Sequence, residues 1–243
     1  MVAILSDIHG NLTALEQVMA DMRRYEIDAV ILLGDLVDYG MQSNEVIAAI
    51  RDRERFPYAV LCNLRGNHEQ AVLEGDYTRF SSQRGVDSAK HTAAQLSDET
   101  KQYLERELTR EGMLEFGLDG RRCLAVHGSL EDPYWKAVAP DNVRCDYSAY
   151  DIVFSGHSHY AHAFTKFYEA DDPDRRGKHA VLFINPGSVG QPRNHNPNAQ
   201  YALLDPETLA VTLRAVPYDV AAAMATFDGS KDAFYKERLQ YGV

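Results

Sequence analysis

The chain has 243 residues, 45% of them hydrophobic and 25% charged, enough for one large or two small domains with a well-buried core. Its 25 basic residues against 36 acidic ones leave a net charge of −11, which argues against a tight complex with polymeric DNA or RNA. Its three isolated cysteines, Cys62, Cys123 and Cys145, argue against a disulfide framework or a thiolate metal site and point to a reducing, cytoplasmic setting.

Met1–Leu5 is apolar, but Asp7 follows almost at once, so the segment is too short for a signal sequence or a membrane span. Val2–Ser6 reads as a first strand, ending in Asp7-Ile8-His9-Gly10. Asn11 then caps a helix carrying Leu12, Leu15, Val18, Met19 and Met22 at helical spacing. A second strand, Ala29–Leu33, is apolar throughout, as expected of a strand buried on both faces. It runs into Gly34-Asp35-Leu36-Val37-Asp38. Asn44–Arg53 reads as a helix with Val46, Ile47 and Ile50 on one face, and a third strand, Tyr58–Leu64, ends in Arg65-Gly66-Asn67-His68-Glu69.

From Glu74 to about Arg110 the strand signals vanish. Two helices are predicted there as an insert over the strand ends, the second capped by Ser97 with Asp98 and Glu99 in its first turn. Strand character resumes at Arg122–Val126, ending in His127-Gly128, and at Asp151–Phe154, ending in Ser155-Gly156-His157-Ser158-His159. Ala180–Ile184 runs into Asn185-Pro186-Gly187-Ser188. Tyr201–Leu204 and Ala210–Val216 read as an antiparallel hairpin closing a second sheet, and helices at about 218–241 close the chain. No repeat or linker divides it, so a single α/β domain over 1–243 is expected.

Potential ligands therefore stand at the ends of successive apolar strands: Asp7 and His9, Asp35 and Asp38, Asn67 and His68, His127, and His157 and His159. Any one of these has an ordinary reading as a turn, a cap or a solvated ring. Their repetition at strand after strand does not. Carboxylate, imidazole and one amide oxygen, without thiolate, suit Mn, Fe, Zn, Ni or Co and disfavour Ca²⁺. The set is too large for one tetrahedral zinc and fits two divalent ions ~3.5–4 Å apart that share a carboxylate, with Asp35 as the bridge.

These residues resemble the calcineurin-like metallophosphoesterase superfamily. The resemblance rests on Asp7-x-His9, Gly34-Asp35-x-x-Asp38, Gly66-Asn67-His68-Glu69, His127 and Gly156-His157-x-His159 in that order, and on the tail Asn185–Arg193, which looks like the small bacterial branch. It implies a four-layer αββα sandwich of two mixed sheets flanked by helices. It also implies one ion held by Asp7, His9, Asp35 and His159, and another by Asp35, Asn67, His127 and His157. His68 would be the catalytic histidine, oriented by Asp38. The residues agree: His68 directly follows a ligand and cannot easily point at the same metal, and a carboxylate partner fixes an imidazole's tautomer. Ser158 stands where relatives often carry threonine.

The expected function is hydrolysis of a small phosphodiester or nucleotide by in-line attack of a metal-bridging hydroxide, with His68 protonating the leaving oxygen. A dinucleoside-polyphosphate hydrolase and a protein phosphatase are alternatives. A non-catalytic scaffold is the alternative of another class, and it should show gaps in the ligand set. Arg65 and Arg193 are candidates to pair with a phosphate oxygen, and His91, in the insert, to line the substrate cleft. Tyr134 and Trp135 could stack on a nucleobase or cover the core. A homo-oligomer is compatible with the sequence.

Overall fold

Why the ligand-bearing turns converge follows from the order of the strands in the computed structural model, which describes residues 1–171, 174 and 176–243. The strands are β1 (Val2–Leu5), β2 (Ala29–Leu32), β3 (Ala59–Asn63), β4 (Met113–Leu118), β5 (Arg121–Val126), β6 (Ile152–Ser155), β7 (His162–Glu169), β8 (Lys178–Asn185), β9 (Ala199–Leu204) and β10 (Val211–Val216). The helices are α1 (Leu12–Met22), α2 (Ser43–Arg51), α3 (Asn67–Glu74), α4 (Gln83–Gln95), α5 (Asp98–Arg106), α6 (Val220–Ala225) and α7 (Ala233–Tyr241). One sheet has the order β10-β9-β1-β2-β3 and the other β4-β5-β6-β8-β7. In the first, β1, β2 and β3 run parallel; in the second, β5, β6 and β8 do. Each parallel trio delivers its turns to one sheet edge, where layered α/β proteins build ligand sites.

Strand alternation separates the layers. Val2, Ile4, Ile31 and Leu33 of the first sheet meet Ala125, Ile152, Phe154 and Ile184 of the second in one buried cluster between the sheets. Ala3, Leu5, Val30 and Leu32 turn the other way, onto Leu15, Val18 and Met22 of α1 and Val46, Ile47 and Ile50 of α2. Fully burying one such side chain contributes about 1.5–3 kcal/mol, so this two-sided core is what holds the strand ends rigid. The second sheet's outer face, Leu124, Val126, Val153 and Phe183, packs under Val138, Tyr147 and Tyr150. These three belong to a stretch with no helix between β5 and β6.

The two packed mixed sheets of the expected sandwich are present, with α1 and α2 over the first sheet and the helix-free stretch over the second. Asn11 and Ser97 cap α1 and α5 through their side chains. One expectation is corrected. The hairpin β9–β10 does not close the second sheet: β9 pairs antiparallel with β1, Val2 opposite Leu204 and Ile4 opposite Ala202. Every residue of β9 is buried, which requires sheet neighbours on both sides, and the free flank of β1 supplies one. Sequence reading also missed α3 and the edge strands β4 and β7. Among the described residues no helix is long and apolar enough to cross a membrane.

Candidate metal centre

The ligand-bearing turns depart from ordinary backbone geometry. Asp7 (φ 54°), His9 (49°), Asp35 (53°), Asp38 (72°), Tyr39 (55°), His157 (63°) and His159 (61°) all occupy the left-handed region. Such residues cost of order 1–3 kcal/mol each and persist where surrounding structure over-determines them, as at functional sites. Here the determinants are visible. Glu69, wholly buried, accepts hydrogen bonds from the backbone N–H of Asp35 (2.8 Å), Val37 (3.0 Å) and Gly66 (2.8 Å), which ties the β2 turn to the start of α3. Gly66 makes the approach possible, because a Cβ there would lie 2.2 Å from Asp35 Oδ1. Gly66→Ala is therefore expected to push the Asp35 carboxylate aside and weaken metal binding about 10–100-fold, as loss of a ligand's support does; a calorimetric metal titration of the folded variant checks it.

The side chains converge in two sets that share Asp35. In the first, Asp7 Oδ1 lies 3.2 Å from His159 Nε2 and 3.8 Å from His9 Nε2, and Asp35 Oδ2 lies 3.7 Å from His9 Nε2. In the second, Asp35 Oδ2 is 3.3 Å from His127 Nε2, and Asn67 Oδ1 is 3.0 Å from both His127 Nε2 and His157 Nδ1. The outer ring nitrogens are anchored to carbonyls: His9 Nδ1 to Val37 (3.2 Å), His159 Nδ1 to Gln191 (2.6 Å) and His127 Nδ1 to Leu33 (2.7 Å). A carbonyl only accepts, so each Nδ1 carries a proton, and whenever the ring is neutral its Nε2 lone pair is turned inward.

The arrangement fits cations. His9 Nε2 and His159 Nε2 face one another at 3.3 Å, and the buried Asp7 Oδ1 accepts no hydrogen bond. Lone pairs converging in a buried space without donors call for a positive ion. Protonation states agree. Burial lowers the pKa of His9 and of His159, and burial together with the neighbouring His127 lowers that of His157 to about 3. Burial alone would raise Asp7 and Asp35, but the surrounding imidazoles hold both carboxyls below their ordinary range. His127 is the exception. Burial disfavours its charge, yet the Asp35 carboxylate raises it to about 9, so a cation must displace a proton there.

His68 stands beside both sets. Its Nδ1 is 2.7 Å from Asp38 Oδ2, and its Nε2 is 4.0 Å from Asp35 Oδ2. Burial opposes its charge, but Tyr39, Asp35 and Asp38 around the ring raise its pKa to about 10. A cleft of about 420 Å³ opens over Asp35, Asn67, His68, His157 and His159, walled by Tyr39, Phe80, Trp135, Arg79, Lys136 and Arg193. A larger groove of about 610 Å³ runs along β3 and α5 and shares none of these residues.

The structure thus brings together Asp7, His9, Asp35, Asp38, Asn67, His68, His127, His157 and His159, with Arg193 and Trp135 on the cleft wall. It does not bring Arg65 or His91. Arg65 is buried and gives its guanidinium to Leu104 O (3.2 Å), because the strand turn points it under α5. His91 lies 3.4 Å from Ser230 Oγ and lines a different depression; consecutive helical residues point about 100° apart, and the neighbouring Thr92 takes the inward direction. Tyr134 turns away as well, giving its hydroxyl to Arg110 O. Sequence reading missed Ser88, Thr92 and Lys231, which meet Asp38. Two hydroxyls at i and i+4 on one helix were the only local signal.

A family model described as the calcineurin-like phosphoesterase superfamily domain matches residues 1–209. The chain is 30% identical over 229 residues to an uncharacterized protein of Methanocaldococcus jannaschii, covering 92% of this chain and 90% of that one. Among solved structures it resembles a metallophosphoesterase from Sphaerobacter thermophilus, with 29% identity, a TM-score of 0.76, and 100% and 98% of the two chains covered. A hypothetical protein of Pyrococcus horikoshii shares the fold at 24% identity and a TM-score of 0.82, with 100% and 99% covered. The family match runs through every turn that carries an aspartate, asparagine or histidine of the two donor sets, and the chain belongs to the calcineurin-like phosphoesterase superfamily.

Proposed function

We propose that this protein hydrolyses a small phosphorylated substrate, a phosphodiester or a nucleotide, with two divalent ions of the Mn, Fe, Zn, Ni or Co class. Asp7, His9, Asp35 and His159 would hold one ion and Asp35, Asn67, His127 and His157 the other. The observation that carries the reading is the position of Asp35 Oδ2, 3.7 Å from His9 Nε2 on one side and 3.3 Å from His127 Nε2 on the other. Such a pair of ions supplies Lewis acidity toward phosphoryl oxygens and a nucleophilic water at neutral pH.

The chain's own groups do the rest. His68, held by Asp38 and charged at neutral pH, donates a proton to the departing oxygen from Nε2. Arg193 has a buried Nε without a hydrogen-bond partner and lines the cleft, so it takes a non-bridging phosphate oxygen. Trp135 and Phe80, edge to face at 5.2 Å, flank the organic part of the substrate. A cleft of about 420 Å³ accommodates a ligand of nucleotide size. The donor set has no gap, which disfavours a non-catalytic scaffold.

Metal-stripped protein resupplied in turn with Mn²⁺, Ni²⁺, Co²⁺, Zn²⁺ or Mg²⁺ tests this on an aryl phosphodiester and an aryl phosphomonoester side by side. Metal-dependent turnover of the diester is the expected result. Turnover of the monoester alone would redirect the reading to a phosphatase. Two bound ions with no turnover of either ester would overturn it in favour of the scaffold.

A further inference from the structure

Asp38 is wholly buried, and four side chains meet its carboxylate. His68 Nδ1 takes Oδ2; Ser88 Oγ (2.7 Å), Thr92 Oγ1 (2.7 Å) and Lys231 Nζ (3.3 Å) take Oδ1. Lys231 is itself buried, and its Nζ also lies 2.8 Å from Thr92 Oγ1, 3.1 Å from Gly40 O and 3.4 Å from Tyr39 O. All of these atoms can accept, which is the setting of an ammonium. Thr92 has a single hydroxyl proton. Giving it to Asp38 leaves a lone pair for Lys231, so the bonds run in one direction from lysine through threonine to carboxylate.

Three distant segments meet here: the turn after β2, helix α4 of the insert, and the chain before α7, which lies beyond the 209 residues of the family match. Just after it, Tyr235 of α7 stacks on Tyr39 (4.6 Å between centroids), and Tyr39 meets the His68 ring edge to face at 4.4 Å. His68 is thus held through Asp38 and through Tyr39 by the same C-terminal segment.

We infer that Lys231 is a positioning residue for the His68–Asp38 pair, its ammonium fixing the carboxylate so that Oδ2 is presented to His68 Nδ1. The inference rests on the reading of His68 as the proton donor. Without the ammonium, a buried carboxylate left with two hydroxyls and a ring turns or takes up a proton, and either change loosens its hold on His68. The competing role is an ion pair that only fastens the C-terminal segment; that role costs stability without favouring one substrate over another.

Lys231→Met and Lys231→Arg, loaded with zinc, separate the two on a phenyl and a 4-nitrophenyl phosphodiester. Lys231→Met is expected to lose about 10–100-fold in kcat on the phenyl ester, the loss typical of a supporting partner, and far less on the nitrophenyl ester, whose leaving group needs no proton. KM and the two bound ions should stay, and Lys231→Arg should recover most of the rate. Thr92→Val, which keeps the charge and breaks the relay, should move the same ratio less. Equal loss on both esters in Lys231→Met overturns the inference. A readout free of turnover is the far-downfield proton resonance of the His68–Asp38 bond, identified by its absence in His68→Gln. It should move in Lys231→Met, and an unmoved resonance overturns the inference even where wild type hydrolyses neither ester. That last result, with ions bound, is instead the failure of the enzymatic reading.

Discussion

His68→Ala is expected to keep both divalent ions and to lose about 10²–10⁴-fold in turnover of esters with poor leaving groups, the usual range for one general acid. The geometry supplies both halves of that expectation. The ring is held through Nδ1 at 2.7 Å from Asp38 and leaves Nε2 toward the cleft. It packs edge to face on His9 at 4.8 Å and on Phe80 at 5.1 Å, so it has little freedom to turn. The competing arrangement is real: His9, Asp35 and His68 also come close enough to hold an ion. Ion content decides between them, since loss of an ion from His68→Ala would make His68 a ligand. Its pKa, raised to about 10 in spite of burial, favours the acid, because a protonated imidazole donates and does not ligate. The sign of the pH dependence follows. The donor form is present at neutral pH and is lost as pH rises; bound cations disfavour the imidazolium and draw that loss to below 10. Rates on a poor leaving group should therefore fall on the alkaline side, and an unchanged alkaline limb in His68→Gln would assign it to another group.

How much of this was legible in the sequence depended on whether the signal was local. The turns at Asp7, Asp35, Asn67, His127 and His157 each follow a short apolar strand, so the chain announces each ligand beside the element that positions it. The edge strands are different. β7 alternates half-buried and exposed residues along its whole length, and β4 holds no fully buried residue, so neither shows the continuous apolar run that marks a central strand. The placement of β9 beside β1 is a matter of strand order, which follows from which flank is free and not from any residue in the hairpin. The support of His68 was invisible for the same reason. Asp38 was read as its partner because the family resemblance implies that pair, whereas no motif points to Ser88 and Thr92, 50 and 54 residues from Asp38, or to Lys231, 193 away. Arg65 failed in the opposite sense: it stands two residues before a ligand, but the chain turns through Gly66 into α3 and the guanidinium goes beneath the insert to Leu104 O.

Asp35→Asn is expected to weaken metal binding at both sites at once, by at least about 10–100-fold each, while Asp7→Asn should weaken only one. Asp7 Oδ1 faces His9 and His159 alone, whereas Asp35 Oδ2 faces His9 on one side and His127 on the other. The substitution should leave the turn in place. Its shape is set by the Asp35 N–H bonded to Glu69 and by Oδ1 accepting from the His68 N–H at 2.9 Å, a bond an amide oxygen can also accept. Elemental analysis of the purified protein and calorimetric titration of the stripped protein measure the effect, and one ion retained at full affinity would mean that Asp35 belongs to a single set. The proton balance gives an independent reading. In the metal-free protein the Asp35 carboxylate raises His127 to about 9, so filling the second set near neutral pH releases a proton, and affinity there falls as pH falls. An asparagine removes the charge that held this proton while burial continues to oppose it. Asp35→Asn should therefore bind more weakly and release fewer protons per ion, a pairing that displacement of a ligand by simple distortion of the turn would not produce.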